Sequence, residues 1–130
     1  MNSQLLIYLI LFKVLYLIAG CGELSSEPGQ TAMSIALGTG FLKDSVRVVF
    51  LSSTIFDRSA TTDSTGYAWI SGNQTAWAAN NGIRVFIFKD SIQVYKEITI
   101  KNPSTVTINY IRNQKLVDFQ VSTGLLNPKN

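Results

Sequence analysis

A chain of 130 residues, 46% hydrophobic and 15% charged, has the size and composition of one globular domain and not those of a disordered or fibrous chain. Eleven Lys and Arg stand against eight Asp and Glu and are scattered singly, so the basic stripe that nucleic-acid binding requires is missing. Histidine is absent, which removes Ser-His-Asp and Cys-His nucleophiles, histidine metal sites and the commonest general base together; the single cysteine rules out an internal disulfide.

Residues 5–20 form an apolar, helix-forming run that closes in small side chains, as a signal-peptide cleavage site requires. The four residues Ile18-Ala19-Gly20-Cys21 resemble the lipobox of bacterial lipoproteins, an aliphatic residue and two small ones read together with a cysteine. The resemblance implies that 1–20 is a signal peptide cut between Gly20 and Cys21. It also implies that Cys21 carries a diacylglycerol on sulfur and an acyl chain such as palmitate on nitrogen, with no other cofactor. Several acyl chains make attachment stable where one chain binds only marginally. Gly22 follows the cysteine where enteric lipoproteins held at the inner membrane carry Asp, so the resemblance implies the outer membrane. The alternative is an uncleaved segment that stays as an anchor helix; both readings make the membrane a partner. Residues 21–30 carry Ser25, Ser26, Pro28 and Gly29 without periodicity and read as a flexible tether.

From residue 31 onward, period-two patterning is punctuated by turn residues every eight to twelve positions or so, the pattern of a sandwich or barrel. Strands are expected at 31–37, 46–51, 66–71, 83–88, 92–101, 106–110 and 117–121. Of these, 46–51 and 83–88 are near-continuous apolar runs that belong mid-sheet, covered on both faces. The first and last strands are the expected sheet edges. The segment 57–63 reads as a solvated loop with turn-capping Asp57 and Asp63, and 75–80 as a single helical turn. Asn81-Gly82 reads as a tight turn with positive φ. The predicted fold is all-β, a single antiparallel β-sandwich of about seven strands over 31–130, preceded by the signal or anchor helix.

Thr61-Thr62-Asp63-Ser64-Thr65-Gly66-Tyr67-Ala68 resembles the hairpin of immunoglobulin-like and transthyretin-like sandwiches, including bacterial invasin-type and carboxypeptidase-regulatory-like domains. That resemblance implies a module for adhesion, spacing or assembly and no enzymatic role. No nucleotide, CxxC, HExxH or calcium-loop string occurs, so no catalytic residue and no metal ligand is assigned. The candidate contact residues are Trp77, Trp69, Tyr67 and Asn80, an aromatic cluster among amides that suits carbohydrate or protein recognition. Trp69 falls in a strand and belongs to the core, whereas Trp77 lies in an irregular segment. The expectation is a lipid-anchored, non-enzymatic binding or assembly module with a protein partner in the cell envelope, as a subunit of a larger envelope or secretion complex. The alternatives are a lipoprotein that binds a small ligand or glycan, and an inhibitor or exclusion factor.

Overall fold

The computed structural model describes residues 29–130; the expected signal or anchor segment 1–20, with Gly20, and Cys21 and the expected tether as far as Pro28 lie outside the described residues. In β1 (Thr31–Leu37) every second side chain, Met33, Ile35 and Leu37, is large and fully buried, while the intervening Ser34 and Ala36 are small and also fully buried. β2 (Asp44–Phe50) alternates buried Val46, Val48 and Phe50 with Ser45, Arg47 and Val49, and hairpins into β3 (Ser53–Ala60). Two short pieces follow, β4 (Trp69–Ile70) and β5 (Gln74–Ala76), and then β6 (Asn81–Ile87) and β7 (Ile92–Ile98) form a second hairpin. A third hairpin, β8 (Ser104–Ile111) with β9 (Leu116–Thr123), completes nine strands among the described residues.

The strands form two sheets. One is antiparallel throughout, in the order β3-β2-β6-β7. The other runs β4-β1-β8-β9, with β5 continuing alongside β1, and β1 is parallel to β8 from Met33↔Ser104 to Leu37↔Ile108. Ser71 spans the break between β4 and β5. Its N–H donates to the Ile35 carbonyl and its Oγ accepts the Ile35 N–H at 2.8 Å, a side chain standing in for the missing ladder carbonyl. The inner faces of the two sheets share one core, with Met33, Ile35, Leu37, Val106, Ile108 and Tyr110 on one side and Val46, Val48, Ile83, Val85 and Ile87 on the other. Each such side chain contributes roughly 1.5–3 kcal/mol by leaving water.

The all-β expectation holds, with corrections. There are nine strands where about seven were expected, and one sheet is mixed, not antiparallel. Residues 57–60, expected in a loop, belong to β3, whose alternation is broken by a bulge that leaves Ile55 unpaired opposite Val48/Val49 and whose outer position leaves Asp57, Arg58 and Ser59 in solvent. The helical turn at 75–80 is absent; Gln74–Ala76 pairs with Thr31–Met33. The positive φ expected at Asn81-Gly82 falls on Asn80, at 66°, and both following residues are in β6. Gly82 lies under the Tyr95 ring, and a Cβ there would come within 2.7 Å of the Tyr95 hydroxyl and displace that exposed side chain. The segments 46–51 and 83–88 do lie mid-sheet, but only their inner face is covered, Arg84 being exposed on the other. β1 is not an edge; it sits between β8 and the β4/β5 pieces.

Side chains clasp the two sheets at one end. Asp44, fully buried at the start of β2, accepts from Arg112 Nη1 at 2.6 Å and from the Leu42 N–H at 2.8 Å, both through Oδ2. In the other direction the Tyr110 hydroxyl of β8 donates to Asp90 in the β6–β7 turn. The two hairpin turns are alike, a 3-10 turn (Phe88–Asp90 or Arg112–Gln114) closed by a left-handed residue, Ser91 or Lys115, which sets Asp90 and Arg112 at the same end.

Burial, together with the Asp90 hydrogen bond, pushes the Tyr110 phenol from 10.0 up to about 12. The neutral phenol is the form the fold favours, so this contribution is complete below pH 10 and is lost as pH rises from 10 to 12. Absorbance titration of folded protein is expected to show one phenol ionising about two units late, and Tyr110→Phe to abolish it and flatten stability across that window. Asn81 exchanges hydrogen bonds with the Trp77 backbone and donates to the Ile98 carbonyl at 2.9 Å from a fully buried position. Asn81→Ala is expected to cost roughly 2–4 kcal/mol in chemical denaturation by leaving these backbone groups unpaired.

Candidate functional site

Backbone N–H and C=O groups along an outer strand must be covered or left as a template for another strand. Of the outer strands here, β3 is interrupted by its bulge and carries the exposed Arg47–Asp57 ion pair of 3.2 Å; β7 carries Lys96 and Glu97. The β4 side is closed by the chain's own end. After β9, Gly124 takes φ 98°, its N–H donates to the Pro103 carbonyl, and its carbonyl accepts from Thr105 Oγ1 at 2.7 Å. The tail then crosses the outer face of β1, where the Leu126 N–H donates to Ser34 Oγ at 3.2 Å, and pairs antiparallel with β4 through Ile70 and Lys129. The small outward side chains Ser34 and Ala36 leave room for this strap. Lys129 Nζ donates to the Asp63 carboxylate, to Thr65 Oγ1 at 2.9 Å and to the Tyr67 carbonyl, locking the strap into the 63–66 turn.

β9 has no bulge, no lysine and no covering strap. It runs in unbroken register with β8 from Ser104↔Thr123 to Ile111↔Leu116, contains no lysine, proline or bulge, and has Asp118 as its single charge. Leu116 and Val121 are each 50% exposed.

Beside β9, on the outer face of the mixed sheet, lies an open groove of about 780 Å³. Thr107 and Asn109 of β8 and Gln120 and Ser122 of β9 line one side, Thr65 and Tyr67 the other. Thr107 stands directly opposite Gln120 in the ladder. Asn109 Oδ1 accepts the Thr39 N–H at 2.9 Å, which anchors the β1–β2 loop; Gly38 permits this approach, since a Cβ there would lie 2.2 Å from that oxygen. No charged side chain lines the groove.

The sequence-predicted contact residues divide among three places. Tyr67 lines the groove. Trp69 is in the core, its ring 4.9 Å from that of Phe56. Trp77, 40% exposed, and Asn80 sit in the turn that Asn81 staples, and neither lines the groove. Thr107, Asn109, Gln120 and Ser122 were not singled out, because uncharged polar residues at alternate positions of a strand are the ordinary pattern of a solvated sheet face. A second unanticipated surface lies on the antiparallel sheet, where Arg47 sits 5.9 and 5.2 Å from the Phe86 and Phe88 rings and Arg84 lies 5.4 Å over Tyr95. Asp57 and Asp63 are each committed to a different cation, Arg47 and Lys129. Among the described residues no cluster of three His, Cys, Asp or Glu side chains is placed to hold a metal ion. Comparison with protein-family models, with the curated proteins and with solved structures gives no match, so these surfaces are read from their own chemistry.

Hydrogen bonds from Lys129 and from Thr65 pull the Asp63 carboxyl from 3.8 down to about 2. Folded protein therefore favours the carboxylate, and the strap contact is complete above pH 4 or so and lost as pH falls toward 2. Lys129→Ala is expected to raise the Asp63 titration midpoint in carboxyl NMR and to accelerate hydrogen exchange at the Ile70 amide, whose acceptor is the Lys129 carbonyl.

Proposed function

We propose that this chain is a lipid-anchored protein of the bacterial envelope, most simply of the outer membrane, whose transthyretin-like sandwich acts as a non-enzymatic assembly module by accepting a strand from a protein partner along β9. The anchor rests on Ile18-Ala19-Gly20-Cys21, with Gly22 after it. The ten positions from Cys21 to Thr31 give a tether that spans at most roughly 35 Å from lipid to first strand.

Connectivity supports the transthyretin-like over the immunoglobulin-like reading. Immunoglobulin sandwiches keep their first two strands in one sheet. Here β1 and β2 lie in opposite sheets and β1 runs parallel to the penultimate strand, as in transthyretin-like domains. The resemblance of Thr61 to Ala68 to the hairpin of that class agrees with this order.

The observation that carries the assembly reading is the contrast among sheet edges. One outer strand is bulged and charged, one carries Lys96 and Glu97, the β4 and β5 pieces are two and three residues long with the strap bridging β4, and β9 offers eight residues in unbroken register with Asp118 as their single charge. An added strand gains main-chain hydrogen bonds there and takes its specificity from alternate side chains.

In the native host, palmitate labelling is expected at Cys21 and to vanish in Cys21→Ser; an intact Met1 peptide by mass spectrometry would overturn the anchor. For the edge, Leu116→Lys with Thr123→Lys places a lysine at each end of β9, at positions that do not line the groove. Cross-linked partner in envelope extract is expected to drop about tenfold or more, with unchanged circular dichroism. Equal cross-linking by the double variant would sink the β9 reading.

A further inference from the structure

We propose that the groove beside β9 is a binding site for a neutral, hydroxyl-rich ligand, the chemical class of an uncharged glycan chain. This goes beyond strand addition and uses a different surface, the outer face of the mixed sheet and not its edge.

The lining selects by what it lacks and by what it leaves free. Its lining carries no charged side chain, and Lys129, which reaches Thr65 and Tyr67, is paired with Asp63, so the lining gives no free cation to a phosphate or a carboxylate. Tyr67 and Val121 are its only large apolar side chains, too little to hold an acyl chain or a hydrophobic peptide anchor. What remains is a set of hydroxyls and amides, groups that donate and accept together. Asn109 has its Oδ1 engaged by Thr39, which leaves its Nδ2 as a donor. Thr107, Gln120 and Ser122 make no side-chain hydrogen bond to the described residues. A neutral sugar presents the complement, hydroxyls that both donate and accept around an apolar C–H face, and Tyr67 supplies an aromatic body with a polar tip.

The site is also held in place before a ligand arrives. Thr107 and Gln120 are fixed opposite one another by the β8–β9 ladder. The facing wall is fixed by Lys129, which bonds both Thr65 Oγ1 and the Tyr67 carbonyl. Pre-set donors and acceptors lower the ordering cost of binding. A volume of about 780 Å³ lies within the range of roughly 300–1,000 Å³ usual for small-ligand sites.

The test is titration calorimetry of the full chain in detergent micelles against maltotriose, cellotriose, xylotriose and triacetylchitotriose, with oligogalacturonate and a heparin tetrasaccharide as charged counterparts and an alternating Thr-Val peptide as a strand mimic. At least one neutral trisaccharide is expected to bind with Kd of about 1 mM or tighter, and Tyr67→Ala and Gln120→Ala each to weaken it about tenfold. The Leu116→Lys with Thr123→Lys variant, which blocks β9, is expected to keep the sugar affinity, so failure of the strand reading and of this one are distinguishable. No heat with any neutral sugar at about 10 mM, tighter binding of the charged sugars, unchanged affinity in both groove variants, or loss of peptide binding alone in those variants would each overturn the glycan assignment.

Discussion

β1 is the strand on which the domain closes. It pairs with β8 on one side and with β4 and β5 on the other, its large side chains fill the core, and its small ones lie beneath the C-terminal strap. A strand covered on both faces must satisfy every backbone polar group inside the protein. That requirement explains two local oddities. Ser71 lends its Oγ to the Ile35 N–H where the neighbouring strand is broken, and the tail crosses the sheet to cover Ser34 before closing the β4 edge. Parallel pairing of β1 with β8 follows from sending β1 and β2 to opposite sheets, because the intervening loop then crosses the sandwich end instead of making a hairpin.

The clasp at that end fixes how the sheets face each other. A fully buried carboxylate such as Asp44 is costly to desolvate, and only a partner of good geometry offsets that cost. Arg112 provides it from the opposite sheet while its own side chain keeps 38% exposure. Pairing Tyr110 with Asp90 repeats the bridge in the reverse direction, so both hairpin turns are used and neither can shift without leaving a buried polar group unpaired. Gly40 belongs to the same end: at φ 92° its α-carbon passes so close to Tyr110 that a Cβ would fall 1.7 Å from the carbonyl oxygen.

The two outer faces differ in chemistry, and the difference organises the functional reading. One carries arginines layered against aromatic rings. The other combines the groove, one wall of which Lys129 holds through Thr65 and Tyr67, with the long β9 edge.

Much of the fold was legible in the residues. Alternation in Thr31–Leu37, Ser104–Ile111 and Leu116–Thr123, the apolar runs at 46–51 and 83–88, and the Asp63 to Gly66 turn all reflect local rules, the period of a strand and the backbone needs of a turn. The string Ile18-Ala19-Gly20-Cys21, on which the proposed anchor rests, is legible in the same way because it is contiguous. Tertiary structure decided the rest. Whether β1 is an edge depends on where β4 and β5, some thirty to forty-five residues later, come to lie, and no local pattern encodes that. β3 was hidden because a bulge shifts its alternation, and the groove because Tyr67 and Gln120 meet only when two segments far apart in sequence fold onto one sheet face. Local periodicity determines which side chains face inward; which strands become neighbours is set by closing one core and pairing all buried backbone, a property of the whole chain.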